Sequence, residues 1–229
     1  MRRGAAVLLG LVAVVGCVAP LAWPDDREPV TRVLTDIGSP EDSLAKAAEY
    51  LDRGDEAAAL PHLRAHVRAH PEAVVIRAHL AELLFRAGQA EEARGHFERY
   101  VADAQRLTGP AHERLVHCHT RLMAIAEDAG DAYHEHLHRG IGLVLLVKRW
   151  EAERPDEVAA EQTLAKAVAA LRGAVAERPG DARAHVYLAE AYRRLGQATA
   201  ARSALRMAKA GLPDAAVTAT EREWIREME

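Results

Sequence analysis

Five of the 12 histidines in this 229-residue chain fall between positions 117 and 138. His117 and His119 stand in LVHCHTRL, and His134, His136 and His138 stand in YHEHLHRG. Imidazole is the commonest side-chain ligand of transition metals. His134 and His138 are four apart and share a helix face, as metal-binding pairs do. If the two stretches form an antiparallel hairpin, His119 approaches His138 and supplies a third ligand, with Cys118 or Glu135 as a further group. The candidate ligands are therefore His119, His134 and His138. Against this, His136 points away from its neighbours, and His117 and His119 are two apart and cannot face one point. H-E-x-x-H and C-x-x-C are both absent. The expectation is no metal and no other cofactor, with a metal-binding protein built on this cluster kept as an alternative.

Other chemistry is sparse. Arg139-Gly140-Ile141-Gly142 lacks the G-x-x-x-x-G-K-[ST] phosphate loop, and no strand precedes it. Its two glycines are expected to admit a neighbouring helix at close range. No G-x-S-x-G elbow occurs, and no nucleophile, base and oxyanion donor can be assembled. An enzyme is not expected. The net charge is −4 and no basic stripe is visible, which argues against nucleic acid as a partner.

These residues must be positioned by helices. The chain is 49% hydrophobic and 28% charged, so it folds. It holds 48 alanines and no asparagine, and aromatics are only 4%. β-Structure favours β-branched and aromatic side chains, whereas alanine favours helices that pack closely. The expected class is all-α.

Arg2 and Arg3 precede a 20-residue uncharged run, Gly4 to Trp23. A helix of that length rises about 30 Å, enough to cross a bilayer core. The expectation is an N-terminal hydrophobic helix over 1–24, acting as signal anchor or signal peptide, with the rest of the chain translocated. Val14-Val15-Gly16-Cys17 resembles a bacterial lipobox, which makes Cys17 a lipidation candidate. Uncleaved anchor and lipoprotein both remain open. Pro20 spoils the sites for ordinary signal-peptidase cleavage. Each reading places the remainder in the periplasm or at the cell surface, attached to a membrane through its N-terminus.

Residues 25–40 read as a linker. From Glu41 onwards apolar residues recur at helical spacing, interrupted by Gly or Pro. Three stretches share their offsets: Tyr50, Gly54, Ala59, Leu63, Pro71; then Leu80, Ala81, Leu84, Gly88, Ala93, Phe97; then Leu188, Ala189, Tyr192, Gly196, Ala201, Leu205, Ala208, Pro213. Gly54 and Gly88 are 34 residues apart. This pattern resembles the tetratricopeptide repeat (TPR), a 34-residue pair of antiparallel helices. The resemblance implies a right-handed α-solenoid over 41–229. Its repeats would cover 41–73, 74–107 and 182–213, with a degenerate centre at 111–180 and a capping helix at 218–228. Gly88 to Gly130 is 42 residues, so the centre calls for lengthened helices and an irregular join.

By the same resemblance, the first helix of each hairpin lines a concave groove that holds a partner peptide or protein. The positions mapped there are Leu44, Leu51, Glu82, Phe85, Arg86, Val186, Glu190, Arg193 and Arg194. The function implied is a membrane-tethered, extracytoplasmic protein–protein interaction scaffold whose output is binding. An architectural subunit of an envelope complex is a further alternative. The partner and the oligomeric state are left open.

Overall fold

The computed structural model describes residues 43–104, 114–153, 160–212 and 217–228. The expected N-terminal helix, the linker, Cys17 and Pro213 lie outside the described residues. Among the described residues the chain is all helical: ten α-helices and no strand. None of them is long and apolar enough to cross a membrane.

The helices are α1 (Ser43–Asp52), α2 (Glu56–Ala69), α3 (Val74–Arg86), α4 (Ala90–Ala104), α5 (Leu115–Asp128), α6 (Ala132–Glu153), α7 (Ala160–Glu177), α8 (Ala182–Arg194), α9 (Ala198–Gly211) and α10 (Ala219–Glu227). Neighbours in sequence pack on one another from α1 to α5, and again from α5 through α9. Helix α8 also touches α6 and α10.

One turn joins the two helices of a hairpin, and it recurs four times. Gly54, Gly88, Gly130 and Gly196 all take positive φ, between 69° and 77°. Each glycine N–H bonds the carbonyl three residues back, and the next residue's N–H bonds the carbonyl five residues back: Asp55 to Tyr50, Gln89 to Leu84, Asp131 to Ala126 and Gln197 to Tyr192. This satisfies two orphan carbonyls at each helix end, in a conformation glycine adopts without steric cost. Helix starts are sealed by side chains. The Asp55 carboxylate accepts from Ala58 N–H (3.0 Å), and that of Asp181 from Ala184 N–H (2.8 Å). Thr218 and Glu221 form a reciprocal capping box at α10.

Within the hairpins, Ala59, Ala81, Ala93 and Ala189 have no exposed surface, and Ala201 is buried. They lie where the backbones cross closely. Leu63, Phe97 and Leu205 fill the space beside them and are buried as well. Burying each such large side chain stabilises the fold by about 1.5–3 kcal/mol. Ion pairs stitch one hairpin to the next. Arg64 on α2 donates two hydrogen bonds to Glu92 on α4 (2.7 and 2.6 Å), and Arg86 on α3 bonds Glu56 on α2.

The centre departs from simple pairing. Helix α6 is 22 residues long and packs against α5, α7 and α8. Gly140 is what lets α7 approach: a Cβ there would sit 2.4 Å from Leu171 Cγ. Gly142 does not share this role, since its nearest neighbour would be His119 Cβ at 3.5 Å.

Candidate functional site

Helices α5 and α6 run antiparallel from the Gly130 turn, which brings His119 against His138. Their Nδ1 atoms are 3.0 Å apart, so one imidazole donates and the other accepts. Both rings are buried, and His119 Nε2 has no hydrogen-bond partner. Burial holds His119 well below its ordinary range, and the neighbouring His138 adds to the effect. Burial likewise lowers His138 to about 3, assisted by Arg183 and His134.

The other cluster members turn elsewhere. The His134 ring lies 6.1 Å from that of His138, but its Nδ1 pairs with Asp131 Oδ2 at 2.5 Å. Burial pushes the Asp131 carboxyl up, yet the hydrogen bonds from His134 leave it below its ordinary value. His117 Nε2 faces Glu82 on α3 (2.8 Å). Glu135 pairs with Arg139 (2.8 Å), and Cys118 is a buried free thiol. Among the described residues, no three His, Cys, Asp or Glu side chains converge at metal-ligand spacing. The proposed triad is therefore a buried pair beside a separate His–Asp contact.

A cleft of about 590 Å³ opens next to this pair. Val101 of α4 and Leu122 of α5 line it, together with Tyr133, Leu137 and His138 of α6. The turn from α7 into α8 adds Arg178, Asp181 and Arg183. Here the Tyr133 hydroxyl donates to Asp181 Oδ2 (2.5 Å), and the Arg178 guanidinium lies 3.7 Å from the Tyr133 ring centroid. Burial, and then the Asp181 carboxylate, push the Tyr133 hydroxyl above its ordinary pKa. Arg183 Nε donates to Glu221 Oε1 (2.8 Å), while its buried Nη2 finds no acceptor. Sequence reasoning missed this cleft. Its polar members come from positions far apart in the chain, and the only local sign was the Pro179-Gly180-Asp181 break.

A sequence model of the tetratricopeptide repeat matches residues 50–115 and 158–220, more than half of the chain. The chain belongs to the tetratricopeptide repeat family. No curated protein matches the sequence. Among solved structures it is similar to the crystal structure of MamA, with 14% identity and a TM-score of 0.35, over 79% of this chain and 96% of that one. It is also similar to the crystal structure of the APC/C hetero-tetramer Cut9–Hcn1, with 14% identity and a TM-score of 0.28, over 89% of this chain and 46% of that one. The TPR matches stop at α5 and resume before α7, so the histidine pair and the α6 lining of the cleft belong to the irregular centre.

The expected groove positions separate into two groups. Leu44, Val186 and Glu190 are buried. Helix α8 is covered by α6, α7, α9 and α10, which corrects the expectation that Val186 and Glu190 face a partner. Glu190 instead accepts from Arg193 (2.8 and 3.0 Å) and Arg194 (2.6 Å), and Arg194 reaches Glu151 on α6 as well. Glu82 is also spent internally: Arg121 donates to both of its oxygens (3.0 and 2.6 Å). Burial raises the Glu82 carboxyl, but hydrogen bonds from His117 and Arg121 outweigh it and bring it to about 2. Phe85 lies half-buried beneath Arg121, 4.6 Å from guanidinium to ring centroid. Leu51 is half-buried, while Arg86 and Arg193 are exposed.

Proposed function

We propose that this TPR protein is a scaffold that binds a partner protein or peptide, tethered to a membrane through residues 1–24 with its repeat domain on the extracytoplasmic side. The observation that carries the binding reading is the repeat match over both ends of the described domain. The assembled polar groups fit it too: Glu82, Glu190 and Glu221 each hold one helix to another or to its own arginines. The tether rests on Arg2, Arg3 and the uncharged run from Gly4 to Trp23. Phe85, Arg86, Leu51 and Arg193 are the accessible members of the expected face. An apolar ring flanked by guanidinium groups makes an anchor of the kind that concentrates binding energy.

Affinity capture from detergent-solubilised membranes with the full chain tests this reading. A partner recovered with the wild-type chain and lost with the Phe85→Ala, Arg193→Ala double variant supports it. A partner profile identical for the two chains overturns the assigned face. Mass spectrometry of the purified N-terminus separates the anchors: an intact Met1 removes lipidation at Cys17.

A further inference from the structure

Helix α2 carries histidines at 62, 66 and 70, each four residues from the next. Residues at that spacing share one helix face. Their rings have different neighbours. His62 stacks on Tyr50 of α1, with 5.5 Å between centroids and 13° between planes. His66 and His70 turn to each other instead, with centroids 4.6 Å apart and planes tilted by 34°. With metal–nitrogen bonds of about 2.0–2.1 Å and ring centres about 1.1 Å further on, two imidazoles at a right angle on one ion sit about 4.5 Å apart. The pair already stands at that spacing. Its surroundings suit a cation. His70 Nδ1 lies 3.3 Å from Glu72 Oε1. When Nδ1 carries the proton it donates to that carboxylate, and Nε2 keeps its lone pair; a carboxylate behind the ring is the common support of a metal-binding histidine. The turn that brings Glu72 back is held in place: Ala73 N–H bonds the His70 carbonyl (3.0 Å), and Arg77 donates to the Pro71 carbonyl. The His66 ring makes no hydrogen bond among the described residues, so its lone pair is not spent. The His70 side chain is 54% exposed, which leaves a way in. His70 is also the C-cap of α2, where the helix dipole is negative. The histidines of the centre lack this freedom, since His119 and His138 bond each other and His134 bonds Asp131.

We propose that His66 and His70 form a two-histidine chelate for a late divalent transition-metal ion at the end of α2. Glu72 is a positioning residue, and water fills the remaining coordination positions. No third His, Cys, Asp or Glu converges there among the described residues, which argues against a closed four-ligand zinc site. Two adjacent nitrogens with water opposite them suit tetragonal Cu2+ and, more weakly, Ni2+. The site goes beyond the partner-binding reading above and does not depend on it.

Titration of the full chain in detergent micelles with Cu2+ tests it, read by calorimetry and by pulsed electron paramagnetic resonance. The expected tightest site shows two coupled imidazoles, and Ni2+ binds it more weakly. Glu72→Gln weakens Cu2+ binding about tenfold and leaves both imidazoles in the spectrum. His70→Gln weakens it further and leaves one imidazole. His70 is exposed, so that variant keeps the fold even where His66→Gln loses it. His134→Gln, in the central cluster, leaves the binding unchanged. A single imidazole in the wild-type spectrum, or a Cu2+ affinity equal in wild type and His70→Gln, overturns the site. Loss of binding with His134→Gln but not with His70→Gln overturns it as well.

Discussion

His119 and His138 share one hydrogen bond, Nδ1 to Nδ1 at 3.0 Å, inside the hairpin of α5 and α6. A proton added to the accepting ring leaves two donors facing each other, and one added to the donating ring leaves a buried cation. The native fold therefore excludes protons that the unfolded chain accepts. His138 titrates at about 3 when folded, against 6.5 ordinarily, and His119 is also well below 6.5. Between about pH 6.5 and 3 the unfolded state binds more protons, so stability falls as pH falls.

The expected slope is up to about 1.4 kcal/mol per pH unit for each histidine. Urea unfolding at pH 7.5, 6.0 and 5.0 measures it. His79 is lowered to about 3 as well and sets a common background. The His119→Leu, His138→Leu double variant removes both groups, and its slope over this range is shallower than wild type by as much as two protons. Equal slopes for the two chains would show that the pair is solvated.

Gly140 and Gly142 make a matched comparison on one helix. A Cβ at Gly140 overlaps the Leu171 side chain at 2.4 and 2.7 Å and meets the Ala167 carbonyl at 3.3 Å. Gly140→Ala is expected to destabilise the fold by about 1–3 kcal/mol through overpacking between α6 and α7. Gly142→Ala meets only His119 Cβ at 3.5 Å and gains helix propensity, about 0.8–1 kcal/mol at most. Thermal unfolding of the two variants should move in opposite directions.

The regular hairpins were legible because their constraints are local. Glycine, alanine and a large apolar residue recur at fixed offsets in 50–71, 80–97 and 188–213, and each occupies the place its size dictates. Gly130 makes the same turn as Gly54, Gly88 and Gly196. It stands outside the 34-residue register because the step from Gly88 is 42 residues, yet Gly130-Asp131 repeats Gly54-Asp55 and marks the turn of a further hairpin. The approach of His119 to His138 follows from an antiparallel hairpin and was legible. The pairing of His134 with Asp131 follows from their spacing of three at a helix start, where a carboxylate accepts from the backbone and side chain of the third residue on. Pairings such as Arg183 with Glu221 join residues 38 apart through packing of α8 and α10, and no local pattern announces them.

That last pair predicts a large effect at the end of the domain. Glu221 is fully buried, receives Arg183, and closes the capping box with Thr218. Glu221→Ala leaves a buried guanidinium without its carboxylate and is expected to cost about 3–5 kcal/mol. Thr218→Ala removes only a cap bond, about 1 kcal/mol. Trp224 reports the difference, since it packs edge-on against Tyr187 (5.4 Å) and beneath Lys148 (3.6 Å). Its emission should shift to the red at lower temperature in Glu221→Ala than in Thr218→Ala. The reverse ranking would mean that the cap, not the ion pair, holds α10.

Glu82 shares the sign of the histidines' pH dependence but acts in a more acidic window. It ties α3 to α5 through His117 and Arg121, and its carboxyl is held at about 2 in the fold, below the ordinary 4.5. A lowered acid contributes stability that is present above about pH 4.5 and is lost as pH falls toward 2. Glu82→Gln keeps the shape but not the charge, so it should cost about 1–3 kcal/mol at pH 7. The cost should shrink as the pH drops from 4.5 to 2, because the wild-type carboxylate is then protonated too. Far-UV circular dichroism during acid titration checks this. Wild type and variant should converge at the acid end, and a gap that stays constant across that range would show that Glu82 acts through packing and not through its charge.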